Sequence, residues 1–267
     1  AAIRQLLAGL CFVVFFMAFK KFPLPRLQQF KWLLLMAILM FVMANGLSTW
    51  SLKYIPTGFS ALIGTLYPIS VVIIEMVFFK VKNVTLLTFI GLLLGICGIG
   101  IVFYENAFHN QNEGFIFGLF LSVIAMLSWS VSTIIISRNK IKLNPYYSLG
   151  WQMLISAVIL FILTAISGQT IPLAAISLTS WLAIIYLVIA GSLIAFIAFI
   201  YSMKKLPVAI SSLYAYLNPL IAMVTAAIVL DEKLTVYILW GSVVTLIGVF
   251  IVNYSIKRKK IISEPEQ

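Results

Sequence analysis

Charged residues are scarce in this chain of 267 residues, where they make up 9% of the sequence against 63% hydrophobic residues. The mean hydropathy is +1.14. A soluble domain of this length needs more charge than this to cover its surface, so the composition excludes the soluble globular class. The solvent that suits such a surface is lipid.

Residues that build metal, redox and catalytic centres are also few. The chain has one histidine, two cysteines and seven aspartate or glutamate residues. His109 lies near Glu105 and Glu113 in sequence, but no second histidine or cysteine accompanies them, so we expect a solvated loop and no metal. No glycine-rich nucleotide fingerprint follows a strand pattern. These scarcities disfavour a membrane-embedded enzyme and predict a protein without a cofactor.

The apolar runs are continuous and do not alternate with polar residues as barrel strands do. LLLMAILMFVMANGL is one example. Backbone groups in lipid must bond internally, so such runs predict spanning helices. The predicted fold class is an all-α polytopic membrane protein with nine spans. They cover about 3–19, 32–51, 57–79, 84–103, 115–136, 146–166, 180–202, 207–230 and 234–255.

Basic residues divide unequally between the two sides of these spans. With the C-terminus inside, fifteen of the 18 lysines and arginines fall in inner segments, and only Arg4, Lys53 and Lys233 fall outside. The positive-inside rule therefore predicts a cytoplasmic C-terminus in the plasma membrane, the inner membrane of a bacterium. Residues 257–267 are predicted to be a charged tail without regular structure. The net charge of +11 is scattered over several loops, so no nucleic-acid partner is expected.

A proline-bracketed segment occurs twice, and its copies lie five spans apart. Because five is odd, the copies cross the membrane in opposite directions, which is the inverted-topology repeat typical of secondary transporters. The matched pairs are Pro56 with Pro207, Pro68 with Pro219, Gly91 with Gly241, and Gly98 with Gly248. Upstream the match is weaker, where Trp32 and Trp181 each open a span that ends just before the repeated proline.

The repeat divides the chain into residues 1–110, residues 111–256 and the tail 257–267. Each repeat should have five spans, but the first has four, because nothing before Ala1 matches the segment from Gly114 to Lys140. We expect that an initial helix is missing. The start of the chain also lacks the pattern of a signal peptide.

Several stretches together resemble one family. They are AAIRQLLAGL, LSWSVSTIIISR, LPVAISSLYAYLNPLIAMVTAAIVLDEKL and WGSVVTLIGVFIVN. Over about residues 1–255 the chain resembles the EamA-type permeases of the drug/metabolite transporter superfamily. The resemblance implies ten helices in two inverted five-helix units, cytoplasmic termini and a central cavity. It also implies movement of amino acids or other small metabolites, often outward.

The chain departs from the family pattern in two places. The first helix is missing, and the acid expected near the end of the fourth helix of the first unit falls inside a span, at Glu75. The corresponding acids of the second unit, in the stretch from Asp231 to Leu234, fit the pattern as they stand.

Polar and aromatic residues inside the spans define a candidate cavity, because such groups are costly in lipid unless paired or facing a cavity. On the eighth span, Ser211, Tyr214 and Asn218 share one helical face. The substrate-binding residues that we predict are Asn45, Trp50, Tyr67, Trp129, Trp151, Gln152, Tyr214 and Asn218. Their mixture of rings and hydrogen-bonding groups suits amphipathic or zwitterionic metabolites.

Each of these residues also has a structural interpretation. Serine and threonine often bond a carbonyl of their own helix, and asparagine can bridge two helices. Glu75 is either a proton-coupling group or the partner of Lys80 and Lys82 near the inner boundary. Arg4 either lines the cavity mouth or anchors a helix end.

The predicted function is that of a secondary transporter that exports small organic metabolites such as amino acids by alternating access. The alternatives are a lipid scramblase and a membrane helper protein that transports nothing. Expected partners are a small-molecule substrate and membrane lipid. A homodimer is a further hypothesis, because two sets of small residues form helix-contact faces. These sets are Gly91, Gly95 and Gly98, and Gly241, Thr245 and Gly248.

Overall fold

The structure of the protein is a computed structural model. It describes residues 1–55, 60, 63–79, 85–102, 114–138, 143–168, 176–218, 220–221 and 236–263, and the regular structure within these ranges is helical. The helices are α1 Ala2–Lys20, α2 Leu27–Ser51, α3 Tyr67–Phe79, α4 Leu86–Val102, α5 Phe115–Ser137, α6 Pro145–Ile166, α7 Leu178–Lys205, α8 Val208–Ser211 and α9 Val236–Ser263.

Six of these helices are long and apolar enough to cross a membrane: α1, α2, α5, α6, α7 and the stretch Leu239–Ile256 of α9. The helices α3 and α4 are shorter and also apolar. Large apolar side chains are exposed on the outer surfaces of the helices; Phe19 of α1 is 75% exposed and Phe250 of α9 is 69% exposed. Hydrocarbon is the medium that accommodates such a surface. The chain is an α-helical, multi-pass membrane protein, as the composition predicts.

Some helix ends differ from those predicted. The helix α2 begins at Leu27, earlier than residue 32, and the third span yields a described helix only from Tyr67. The tail was predicted to lack regular structure, but α9 continues to Ser263. For residues 257–263 that prediction was wrong, because lysine and arginine favour helices and no glycine or proline follows Gly248 until Pro265. Residues 264–267 lie outside the described ranges.

The chain forms two compact units, and each takes helices from both halves of the sequence. Unit 1 comprises Ala1–Leu47 and Ile135–Lys205, and unit 2 comprises Ser48–Ile134 and Leu206–Gln267. The predicted repeats at 1–110 and 111–256 describe similarity in sequence, and the compact units cut across them.

In unit 1, α1 packs closely against α6 through glycines. A Cβ atom added at Gly9 would lie 2.9 Å from the amide nitrogen of Leu154, and one at Gly150 would lie 2.7 Å from the Cβ of Phe12. Gly9 of α1 faces Leu154 of α6, whereas Phe12, later on α1, faces Gly150, earlier on α6. The two helices are therefore antiparallel. They are the matched spans of the two repeats.

In unit 2, α4 and α9 form a second antiparallel pair. A Cβ added at Gly91 would lie 2.8 Å from the carbonyl oxygen of Gly248, and one at Gly98 would lie 2.6 Å from that of Gly241. In the repeat, Gly91 matches Gly241 and Gly98 matches Gly248. The contact between Gly91 and Gly248 is therefore equivalent to the contact between Gly241 and Gly98, and α4 and α9 are related by the two-fold symmetry of the repeat. These glycines lie at a helix contact, as their spacing predicts.

Two π-helical segments occur at matching positions, Ala37–Leu47 in α2 and Leu187–Ile194 in α7. The shift that brings Trp32 onto Trp181 maps 37–47 onto 186–196, so the segments coincide in the repeat. Both belong to unit 1. π-Helices are rare in proteins, and those that occur are often found at functional sites. Their recurrence at matching positions therefore distinguishes α2 and α7 from the regular α-helices of this unit.

Candidate functional site

Both proline-bracketed segments are broken by a turn. In the first, residues 65–66 form a turn before α3, and in the second, residues 212–213 separate α8 from a helical stretch at 214–218. The amides of Leu66 and Leu213 donate to carbonyls three residues back, at 3.0 and 3.1 Å, which tightens the backbone at each break. Broken helices of this kind build the solute sites of many membrane transporters.

Three aromatic side chains of unit 2 meet at these breaks, and we call them the aromatic cluster. Tyr67 is the first residue after one break and Tyr214 the first after the other, and their ring centroids are 5.9 Å apart. Trp129 of α5 donates its Nε1 hydrogen to the Tyr214 hydroxyl at 2.9 Å. The sequence analysis named all three, and the structure brings them together.

The Tyr67 hydroxyl is the buried polar group of the aromatic cluster whose hydrogen bonding is least satisfied. The residue is 2% exposed, and its oxygen makes no well-aligned hydrogen bond among the described residues. Thr133 and Trp129 adjoin it. A buried hydroxyl is costly to leave unpaired, which makes this hydroxyl a candidate hydrogen-bonding group.

Hydroxyl groups extend along the face of α5 that carries Trp129. Ser122 donates to Ser51 at 2.8 Å and lies 3.5 Å from the Ser60 hydroxyl. Further along, Ser130 is hydrogen-bonded to Ser70 of α3. This face of α5 therefore carries a polar track inside unit 2.

Glu75 lies on α3, about two turns after Tyr67. It is half-buried and makes a polar or charged contact. Lys80 and Lys82, the partners considered for it from sequence, lie outside the described residues. Both interpretations of Glu75 therefore stay predictions.

Three predicted cavity residues belong to unit 1, whereas the aromatic cluster belongs to unit 2. The Asn45 amide donates to the carbonyl of Met40 at 3.0 Å, within the π-helical segment of α2. Gln152 donates to the Ser148 hydroxyl at 2.9 Å, while its Oε1 is buried and has no partner among the described residues. The Trp151 ring packs edge-on against Tyr147, and its Nε1 is buried with no partner in the part of the chain that the structure describes.

Two other predicted residues lie at exposed positions of unit 2. Trp50 is 45% exposed and its ring packs edge-on against Phe117 at 5.7 Å. Asn218 is exposed near the end of its described helical stretch. An exposed tryptophan that packs on a phenylalanine ring is also what an aromatic anchor at the membrane surface would show.

Comparison with known proteins decides the family. The sequence pattern of the EamA-like transporter family matches residues 1–104 and 116–254. The chain belongs to the EamA-like transporter family. The resemblance drawn from the sequence motifs is thereby confirmed.

Two similar proteins of this kind come from Bacillus subtilis (strain 168). The Uncharacterized transporter YvbV is 26% identical over 97% of this chain and 83% of its own length. The Uncharacterized transporter YoaV is 19% identical over 94% of this chain and 84% of its own length. Like the family, both are transporters by name, and the role of this EamA-like chain is membrane transport.

A solved structure shares the fold. It is described only as a crystal structure of a protein, and it superimposes with a TM-score of 0.79 over 94% of this chain and 86% of its own chain. At 17% identity the likeness concerns the fold alone.

Some polar groups of this EamA-like protein escaped the sequence analysis. Gln5 of α1 is 0% exposed, and within the described ranges neither polar atom of its amide has a partner. The bond between Ser70 and Ser130 was also missed. A signal for Gln5 was present, since a glutamine inside an apolar run is itself unusual. No sequence signal pairs two particular serines on different helices.

Glu105, His109 and Glu113, the residues considered for a metal site from sequence, lie outside the described ranges. Those ranges contain no group of three or more histidine, cysteine, aspartate or glutamate residues that could hold an ion. Cys11 and Cys97 are free and exposed.

Proposed function

We propose that this EamA-like protein is a secondary transporter that exports small organic metabolites, amino acids among them, by alternating access of its inverted repeats. The observation that carries the proposal is the meeting of Tyr67, Trp129 and Tyr214 at two broken helices. The antiparallel matched pairs α1–α6 and α4–α9 support it, because two inverted copies can exchange conformations.

The aromatic cluster is proposed as the solute-binding site. Tyrosine and tryptophan rings offer apolar faces, and the Tyr67 hydroxyl offers both a donor and an acceptor. A solute with an apolar or cationic part and a hydrogen-bonding group fits this chemistry. Zwitterionic metabolites have both features. On this view the protein is not an enzyme.

The test is flux across proteoliposomes that contain the full-length protein. Labelled amino acids and other small metabolites are loaded on one side, with and without a pH gradient. We expect at least one to move, and Trp129→Phe to lower its flux about fivefold, as the loss of a hydrogen bond of about 1 kcal/mol implies. Tyr67→Phe should have a similar effect.

Matched controls separate binding from general damage. Trp240→Phe and Tyr254→Phe change the same side chains at positions 62% and 50% exposed, and should leave flux unchanged. Flipping of a dye-labelled phospholipid is measured in the same vesicles. If no metabolite moves while the dye lipid flips, the protein is a scramblase. If neither moves, a helper role replaces the proposal.

A further inference from the structure

Gly64 lies in the first proline-bracketed segment, immediately before the break at residues 65–66. A Cβ atom added there would meet no described atom within 4 Å. Other glycines of unit 2 differ. An added Cβ at Gly95 would lie 2.7 Å from the Tyr216 ring, and one at Gly98 would lie 2.5 Å from the amide nitrogen of Thr245. Gly64 therefore borders open space, whereas these two glycines border packed groups.

The backbone does not require a glycine at this position. Gly64 is helical, and the described glycines with positive φ are Gly114 and Gly168. Glycine inside a helix is less favourable than alanine by about 1 kcal/mol. Because neither the backbone conformation nor close packing explains Gly64, the open space beside it is the remaining structural reason for a residue without a side chain.

That open space lies on the side of the segment that faces α5. One turn before Gly64 and on the same helical face, the Ser60 hydroxyl lies 3.5 Å from that of Ser122 on α5. Beyond the break, Ser70 of α3 is hydrogen-bonded to Ser130 of α5. Residue numbers rise together along the two contacts, so the segment and α5 run parallel, with Gly64 between two points of attachment.

At the level of Gly64, α5 also carries a small side chain. Counting along α5 from Ser122 towards Ser130 brings Ala125 to this level, and Ala125 is 4% exposed. A glycine on one helix and an alanine on the other leave a gap, while the hydroxyl contacts hold the helices together on either side. We call this gap the Gly64 hollow.

The Gly64 hollow adjoins the aromatic cluster. Tyr67 follows Gly64 after a tight turn, in which the Leu66 amide donates to the Ile63 carbonyl at 3.0 Å. Tyr67 is 2% exposed, and its hydroxyl makes no well-aligned hydrogen bond among the described residues. Trp129 of α5 adjoins that hydroxyl. A molecule in the hollow would therefore lie within reach of a buried hydroxyl that lacks a good partner.

The two walls of the hollow carry no formal charge in sequence. The helix α5 contains no aspartate, glutamate, lysine or arginine, and the stretch from Ser60 contains none before Glu75. Hydroxyl groups are the polar groups that these walls offer. A solute with a net charge would find no counter-ion on either wall, so an uncharged or zwitterionic solute fits best.

We propose that Gly64 determines the size of the solute that the aromatic cluster admits, because it keeps a water-accessible hollow free of any side chain. The inference rests on the proposed function and deepens it. The solute is small and has no net charge; its apolar part occupies the Gly64 hollow, and its polar group reaches the Tyr67 hydroxyl. A side chain at this position would occupy the same space and exclude the larger solutes first.

The first measurement asks whether the hollow contains water. Gly64→Cys is made in the full-length protein after Cys11 and Cys97 have been replaced by serine. The matched control is Gly100→Cys, where an added Cβ also meets no described atom, but on a helical face shared with Leu93, an apolar residue that is 53% exposed.

The probe is a trimethylammonium methanethiosulfonate, applied to both sides of proteoliposomes. This cation reacts with thiolates, and a thiol ionises in water but not in hydrocarbon. We therefore expect the Gly64→Cys thiol to react about tenfold faster than the Gly100→Cys thiol. Equal rates at the two positions would overturn the proposal.

The second measurement is flux of labelled glycine, alanine and leucine, which differ in size alone among uncharged side chains. We expect Gly64→Leu to lower the flux of the largest transported solute about tenfold and that of the smallest less than about twofold, with Gly64→Ala intermediate. Gly100→Leu should leave every flux unchanged. The thermal unfolding midpoints of the Gly64 variants should equal that of the wild type, because the space for the new side chain exists.

Other outcomes decide against the hollow or against transport. An equal loss of flux for all solutes, no loss for any solute, or a lowered midpoint of Gly64→Ala would overturn the proposal. A wild-type protein that moves no solute would refute the proposed function. Fast reaction of the Gly64→Cys thiol with an unchanged midpoint would then retain the hollow as a binding site, and slow reaction would remove it.

Discussion

At the scale of single residues, the three members of the aromatic cluster were all predicted from the sequence. The other predicted cavity residues are not members of this cluster. Tyr67 and Tyr214 were predicted because they lie on matching polar stripes of the two repeated segments, and Trp129 because it lies among the polar residues of the fifth span. Asn45 was assigned by counting along a regular helix. Its segment is π-helical, so the angle per residue differs and the predicted face does not follow.

Glu75 is the residue on which proton coupling can be decided. If its carboxyl binds and releases the coupled proton, Glu75→Gln should abolish the response of flux to a pH gradient, because an amide does not titrate. Exchange of labelled for unlabelled solute should persist. The measurement is flux into proteoliposomes at two gradients. A gradient response equal to that of wild type would favour the ion-pair interpretation.

Asn45 offers a second test at this scale. Its amide bonds the Met40 carbonyl, so Asn45→Ala should lower the free energy of unfolding by about 0.6 kcal/mol, the usual value for a polar contact within a membrane. The solute KM should stay the same. Titration with a denaturing detergent measures the first quantity. A changed KM with unchanged stability would instead place the amide at the solute.

At the scale of helices, glycine spacing predicted the tightest contacts, while the π-helical segments had no recognisable signal. The glycines Gly91 and Gly98 are spaced for packing, and their partners Gly241 and Gly248 follow from the repeat. Nothing in Ala37–Leu47 or Leu187–Ile194 distinguishes them by composition from the neighbouring apolar turns. Tertiary packing decides between α and π geometry there, and a single sequence does not report it.

The α4–α9 contact predicts opposite effects of one substitution at two nearby glycines. Gly98→Ala would force a Cβ against the Thr245 hydroxyl and the Gly241 carbonyl, so we expect destabilisation by about 1–3 kcal/mol. Gly100→Ala meets no described atom within 4 Å and should be neutral or stabilising by up to about 1 kcal/mol. Thermal unfolding of the two variants in the same detergent checks this, and equal midpoints would contradict it.

At the scale of the whole molecule, composition and charge predicted the class of protein but not its compact units. Hydropathy alone gives a multi-pass helical chain, and the repeat gives the antiparallel matched pairs. The sequence divides at about residue 110, whereas unit 1 and unit 2 each combine both halves. Long-range pairing of helices is set by surface complementarity, which a count of apolar runs does not contain.

Orientation is testable at this scale. With the C-terminus cytoplasmic, a green fluorescent protein fused after Gln267 should fluoresce, because it folds inside the bacterial cell. Alkaline phosphatase fused after Asn110 should be active, because that loop is predicted to face outward. The reverse pattern would contradict the positive-inside assignment and with it the span count.

The pairing of α4 with α9 has a consequence for how the protein is made. During translation α4 leaves the ribosome before α5, α6, α7 and α8 are synthesised. Its glycine face stays without its packing partner until α9 has been made. Until then lipid or an insertion chaperone has to cover that face. A nascent chain that stalls before α9 therefore exposes an unfinished groove in the bilayer, where membrane proteases can recognise it.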